Sequence, residues 1–160
     1  MGCQSNCGSG ETEQGHVQLR PFTLQDIDRI LDIEDHSFET QAFSKSQFEE
    51  ISRQHPGAFY VGDLSGEVVG YILGTITEEA GELRSLAVDR HFRNLGVGRR
   101  LVEEIFNRFR EMGIRTCSLK VRTDNEPAIR LYKKIGFEIT KLLESEGEGD
   151  VEAYLMKTSL

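Results

Sequence analysis

Over residues 83–100, LRSLAVDRHFRNLGVGRR, a β-rich run ends at Val88 and Asp89, a polar loop follows, and Arg93-Asn94-Leu95-Gly96-Val97-Gly98 opens a stretch with helical spacing. Where a helix starts, its first N–H groups lack partners inside the helix and the macrodipole favours negative charge. Glycines at such a junction let a ligand approach the main chain. Between residues 89 and 100, Arg90, Arg93, Arg99 and Arg100 stand against Asp89, a local charge of +3 in a chain whose net charge is −8. The chemistry this suits is binding a phosphate or pyrophosphate. It is not that of a P-loop, because no Gly-Lys-Ser/Thr triplet follows the glycines. On these residues alone a plainer alternative stays open, a glycine-softened helix start with a solvated basic face.

Such a loop needs a strand before it and a helix after it. Residues 96–112 carry Val97, Leu101, Val102, Ile105, Phe106 and Phe109 at helical spacing and stop at Gly113. Upstream, Val17–Arg20 alternates as a strand. Thr23 with Asp26 and Ser44 with Gln47 then form capping boxes for two amphipathic helices, the second ended by Pro56-Gly57. Runs 58–64 and 67–76 are joined by Ser65-Gly66, a hairpin signal, and a third run, 83–88, follows a turn at Ala80-Gly81. Downstream come a strand at 115–122, a helix at 125–135, a strand at 137–143, an acidic turn at 145–150 and a last strand at 151–156. The order β-α-α-β-β-β-α-β-α-β-β predicts an α/β (α+β) domain, a mixed sheet with helices on its faces.

At 160 residues the chain suits one domain, and we expect a disordered tail at residues 1–15 and a folded domain at 16–160. With 38% hydrophobic and 29% charged residues and no long apolar run, it is expected to be soluble, with no membrane partner. The acidic balance is the wrong sign for gripping a nucleic-acid backbone. Cys3, Cys7 and Cys117 make no disulfide framework and no metal-ligand pattern, so a cytoplasmic location and no metal are expected.

The strand ending Ser85-Leu86-Ala87-Val88, the loop, and Arg-x-x-Gly-x-Gly at Arg93–Gly98 resemble motif A of the GNAT superfamily of acetyl-CoA-dependent N-acetyltransferases. Residues 121–137, VRTDNEPAIRLYKKIGF, resemble motif B of its N-terminal acetyltransferase branch. The closing Glu152-Ala153-Tyr154-Leu155-Met156 is similar to the last strand of RimI-type ribosomal-protein alanine acetyltransferases and archaeal N-terminal acetyltransferases. The resemblance implies a GNAT fold, a mixed, mostly antiparallel sheet of about seven strands flanked by about four helices. It also implies a strand that bulges and splays from its neighbour, with acetyl-CoA (CoA) as cofactor. The CoA-binding residues it implies are Leu86, Ala87, Val88, Arg93, Asn94, Leu95, Gly96, Val97, Gly98, Arg99, Asn125 and Tyr132, with the Val88 N–H polarising the thioester carbonyl.

For catalysis, the resemblance implies Tyr132 as the acid, its phenol near pKa 10 standing a little above a thiol's roughly 8.5. Glu82 falls where the histone-acetyltransferase branch has its base, whereas the RimI-type Glu before motif B is here Lys120. Phe38, Glu39 and Phe43 lie in the segment that lines the peptide slot of N-terminal acetyltransferases, and Leu142-Leu143 replace that branch's Tyr-Tyr pair. An α-amine of pKa near 8 is about a tenth neutral at pH 7, against roughly four parts in ten thousand for lysine, so a weak base suffices for an N-terminus. The expected acceptor is therefore a protein N-terminus, attacking directly in a ternary complex. The alternatives are a small amine, such as an amino acid or polyamine, and a non-catalytic acyl-CoA-binding domain. A monomer or homodimer is expected.

Overall fold

The computed structural model describes residues 16–37, 43–78, 80–144 and 152–160. Along the chain run β1 (Gln18–Pro21), a 3-10 turn (Leu24–Asp26) leading into α1 (Ile27–Ser37), α2 (Lys45–Gln54), β2 (Phe59–Leu64), β3 (Glu67–Thr77) and β4 (Ala80–Val88). A second 3-10 turn (Arg90–Phe92), α3 (Val97–Glu111), β5 (Thr116–Arg122), α4 (Glu126–Ile135), β6 (Glu138–Leu143) and β7 (Ala153–Ser159) follow. The seven strands form one sheet in the order β1-β2-β3-β4-β5-β7-β6. Among the described residues only β4 and β5 pair in parallel. This is the mixed, mostly antiparallel architecture that the element order predicts. The tail at 1–15, Phe38 and Glu39, and the acidic turn at 145–150 lie outside the described residues.

Local chemistry explains the element ends. The Ser44 side chain accepts from the Gln47 amide while the Gln47 side chain accepts from the Ser44 amide, closing a capping box on α2. At α1 the Asp26 carboxylate accepts from the Thr23 N–H and hydroxyl, at 2.8 and 3.2 Å, but the first turn is 3-10 rather than α. Arg20 of β1 adds two bonds to the same carboxylate and a third to Asp63 of β2, fastening the helix start to the sheet edge. Between β2 and β3, Ser65 and Gly66 both have positive φ, 53° and 95°, the type I′ geometry of a tight hairpin.

Two apolar clusters cover the sheet. On one face α3 buries Val97, Leu101, Val102, Ile105, Phe106 and Phe109 against Tyr60, Ile72, Leu83, Leu119 and Val121, with Tyr132 of α4 and Met156 of β7 in the same cluster. On the other face α1 and α2 bury Ile27, Ile30, Ile33 and Phe48 against Phe59, Val61, Tyr71, Leu73 and Ala87. The second cluster takes its strand residues from β2, β3 and β4 alone. Alternating with buried Cys117, Leu119 and Val121, the residues Thr116, Ser118, Lys120 and Arg122 of β5 are exposed or half-buried on that second face.

In β4 the structure departs from the simple alternation of residues 83–88. Leu73 of β3 pairs with Ser85 and Gly74 with Leu83, so Arg84 is an extra, bulged residue. The bulge reverses the alternation. Leu83 lies in the α3 cluster, whereas Ser85 bonds Tyr71 of the α1–α2 cluster, hydroxyl to hydroxyl, at 2.8 Å. The expected turn at Ala80-Gly81 is also strand. Gly81 is there for proximity: a Cβ on it would stand 2.5 Å from Cε2 of Phe109, a fully buried ring. Gly81→Ala should accordingly destabilise the protein by about 1–3 kcal/mol through overpacking, lowering Tm by roughly 3–10 °C in a thermal melt.

Candidate active site

Strand β5 pairs with β4 over four rungs, from Ala80 with Thr116 to Leu83 with Leu119, and pairing then stops. Both strands continue, β4 to Val88 held by β3 and β5 to Arg122 held by β7. The bulge at Arg84 falls at the parting point, where added twist turns β4 away from its neighbour. The Asp89 amide bonds the Val69 carbonyl at 2.8 Å. Antiparallel alternation therefore turns the main-chain groups of Ala87 toward β3 and those of Leu86 and Val88 into the opening. Leu86 and Val88 thus present their backbone to the split; Ala87 spends its own within the sheet.

At the end of β4, Asp89 anchors the loop. One carboxylate oxygen takes Arg29 of α1 at 2.5 Å, and the other takes the His91 amide at 2.8 Å and the His91 ring at 3.1 Å. Burial pushes this carboxyl up, but the His91 amide, Arg29 and the His91 ring outweigh it and hold it down at about 2. Arg29 also bonds the Val68 carbonyl and Asp32. Arg93 folds back so that its Nε donates to the Val88 carbonyl at 2.9 Å. Asn94 and Gly96 have φ of 63° and 84°, and a Cβ on Gly96 would meet nothing within 4 Å. No side chain caps α3, whose first helical bond is from Arg100 N–H to the Gly96 carbonyl. The amides of Val97, Gly98 and Arg99 stand at this uncapped, accessible helix start, which fits a pyrophosphate, and the β4 backbone beyond Arg84 fits an extended amide-bearing chain.

The basic residues around the loop are not equivalent. Arg100 reaches back to the Val17 carbonyl at 2.8 Å, and Arg99 bonds Glu103. With Arg99 paired to Glu103 and Arg100 turned to Val17, the local +3 does not all bear on the loop. Leu95 is 60% exposed beside it, whereas the Val97 side chain is core.

Tyr132 lies in the α3–α4 cluster, its ring edge-on to Phe137 at 5.6 Å. Burial, then proximity to Cys117, raises its phenol pKa above the ordinary value. Cys117 is a free, buried thiol pushed up to about 12 by burial and by Glu82. Glu82 is half-buried on the penultimate rung, opposite Ser118, and alternates with Leu83 toward the face away from α3. Glu82 and Tyr132 thus approach the closed end of the split from opposite faces. Asn125 caps α4, its side chain accepting from the Ala128 amide at 3.3 Å. Phe43 packs edge-on against Phe48, and Lys120 is exposed. Two residues bearing on this site lacked any motif signal: Arg29, and Arg84, whose guanidinium carbon lies 6.0 Å from the Phe43 ring centroid.

Residues 24–137 match the family model described as "Acetyltransferase (GNAT) family". The chain is 35% identical over 158 residues to an N-alpha-acetyltransferase of Sulfolobus acidocaldarius, covering 91% of this chain and 94% of the relative. Among solved structures it resembles Ard1 from Thermoplasma volcanium, with a TM-score of 0.84, 32% identity, and coverage of 90% of this chain and 97% of that one. The fold is shared with the ribosomal-protein-S18-alanine N-acetyltransferase from Escherichia coli, with a TM-score of 0.76, 23% identity, and coverage of 89% and 93%.

A carboxyl held below its unfolded value of about 3.9 contributes stability in full above about pH 4 and loses it as pH falls through its folded pKa. For Asp89 that pKa is about 2. Urea titrations between pH 5 and 2 should show a steeper acid-side fall in stability for the native chain than for Asp89→Asn.

Proposed function

The chain belongs to the acetyltransferase (GNAT) family, and from that premise we propose that it moves acetyl from acetyl-CoA to the α-amine of a protein N-terminus, by direct attack in a ternary complex. The observation that carries this reading is the split between β4 and β5, with Glu82 and Tyr132 on opposite faces of its closed end and the uncapped start of α3 at its open end. The relatives named N-alpha-acetyltransferase support the α-amine acceptor. The reading puts the enzyme in the cytoplasm, where nascent N-termini and acetyl-CoA meet. No helix among the described residues is long and apolar enough to cross a membrane.

When bound, acetyl-CoA supplies an activated acyl carbon and a thiolate leaving group. The amides from Arg93 to Gly98 hold the pyrophosphate, the Leu86 and Val88 backbone takes the pantetheine arm, and the Val88 N–H polarises the acyl oxygen. Asn125 contacts the arm while capping α4. Phe43 lines the acceptor side.

Glu82 takes the proton that the amine must shed, directly or through one water. Because an α-amine is already about a tenth neutral at pH 7, a carboxylate is base enough. Tyr132 serves the departing sulfur. Burial keeps it a phenol at working pH, so it is always a donor. Full proton transfer from phenol to an ordinary thiolate runs uphill, since a thiol near 8.5 is the stronger acid. The dry setting raises the Tyr132 phenol and the neighbouring Cys117 thiol alike, so burial leaves the order of the two acidities in place. Tyr132 therefore donates a hydrogen bond that stabilises the departing sulfur, whose protonation is completed as the thiol leaves.

Tyr132→Phe should lower kcat by roughly 10²-fold or more while leaving the Kd for CoA within about threefold. Glu82→Gln should do the same and shift the pH–rate profile. The assay is mass gain on N-terminal peptides, with calorimetry for CoA. Acetylation of polyamines but of no peptide would overturn the acceptor assignment, and full activity in both variants would overturn their roles.

A further inference from the structure

One residue past the last β4–β5 rung, each arm of the split carries a cation, Arg84 on β4 and Lys120 on β5. Both lie on the face away from α3. Arg84 stands over Phe43 on the α1–α2 side, and Lys120 shares its parity with Ser118, opposite Leu119 and Val121 of the α3 cluster. Glu82 is two residues from Arg84 on the same face. Among the described residues neither Arg84 nor Lys120 has an ion-pair partner, whereas Arg29 and Arg122 do. Arg84 is also the bulged residue, so its place at the parting point is fixed by the sheet itself.

An anion flanked by two cations has the complement of one particular acceptor, an amine whose own side chain is a carboxylate. We infer that this enzyme selects acceptors whose first residue is aspartate or glutamate, the α-amine meeting Glu82 and the side-chain carboxylate meeting Arg84 and Lys120. The inference rests on the acetyl-transfer reading above and names its substrate class. A guanidinium is suited to the task because it offers a planar fork to a carboxylate while its face rests on an aromatic ring. The same cations repel a lysine side chain or a polyamine. A free acidic amino acid carries the same pair of groups as an acidic N-terminus, so the two sources are separated by experiment.

The full chain should be assayed with acetyl-CoA and short peptides differing only in their first residue (Asp, Glu, Ala, Ser, Met or Lys), together with free aspartate and glutamate. The expected result is a kcat/KM for Asp and Glu peptides at least tenfold above Ala, with Lys below Ala and the preference shrinking in high salt. Arg84→Met should bring the Glu-to-Ala ratio to within about threefold, and Arg84→Lys should keep most of it. A ratio measured within one preparation is unaffected by partial misfolding. Acidic peptides that react no faster than Ala overturn the inference while leaving N-terminal acetylation intact. Reaction of free aspartate and glutamate without any peptide supports carboxylate selection and overturns the protein acceptor. A ratio unchanged in Arg84→Met removes Arg84 from the selection and overturns the inference as stated.

Discussion

Past Leu83 and Leu119 the backbones of β4 and β5 stop bonding each other, and donors that would elsewhere close a sheet face an opening. Unpaired main-chain groups in a sheet are a standing cost, relieved by water or by a partner with amides of its own. The other elements keep that opening from collapsing. β3 holds one arm through the Asp89–Val69 bond, β7 holds the other through Arg122 and Ala153, and the bulge at Arg84 sets where they part. On the proposed reading a bound pantetheine chain would act as a temporary strand, and by linkage its binding would stabilise the whole sheet.

The faces of the split are chemically unlike. Toward α3 and α4 the surroundings are dry, and burial, with Glu82 nearby, pushes a thiol to about 12 beside a phenol that is raised as well. Toward α1 the β5 half of the sheet is polar, with Ser118, Lys120 and Arg122 on the surface. An apolar face suits a reaction step in which charge is borne by sulfur and quenched by a proton. A wet, charged face suits an amine that arrives as an ammonium and must lose a proton to solvent or carboxylate. The acidic chain as a whole and the basic rim of the split show how little net charge says about a site.

What the sequence made legible follows the range of the interaction. Helix periodicity, the Ser44–Gln47 box, the Ser65-Gly66 hairpin and the Arg-x-x-Gly-x-Gly junction are local, and the structure has the corresponding elements within a residue or two. Gly81 misled because a glycine in a polar stretch signals a turn, whereas here its partner, Phe109, is 28 residues away. The bulge was hidden because one inserted residue leaves a plausible strand on either side. Arg100 reads as a ligand-loop cation in the sequence, but its carbonyl partner, Val17, comes from just before the first strand. Arg29 and Asp89 are 60 positions apart, and no spacing rule connects them.

That last pair joins the two working halves of the molecule. α1 carries Arg29 and leads toward the segment proposed for the acceptor side, Asp89 begins the loop before α3, and a single guanidinium rivets helix and loop together. Anyone grafting α1 and its following segment from a relative to retarget the enzyme would also be replacing the bolt under the phosphate cradle. On the proposed reading, a chimera lacking an arginine at position 29 would loosen the loop before α3 as well as altering the acceptor side, and loop swaps that begin after residue 37 would leave the Arg29–Asp89 contact in place.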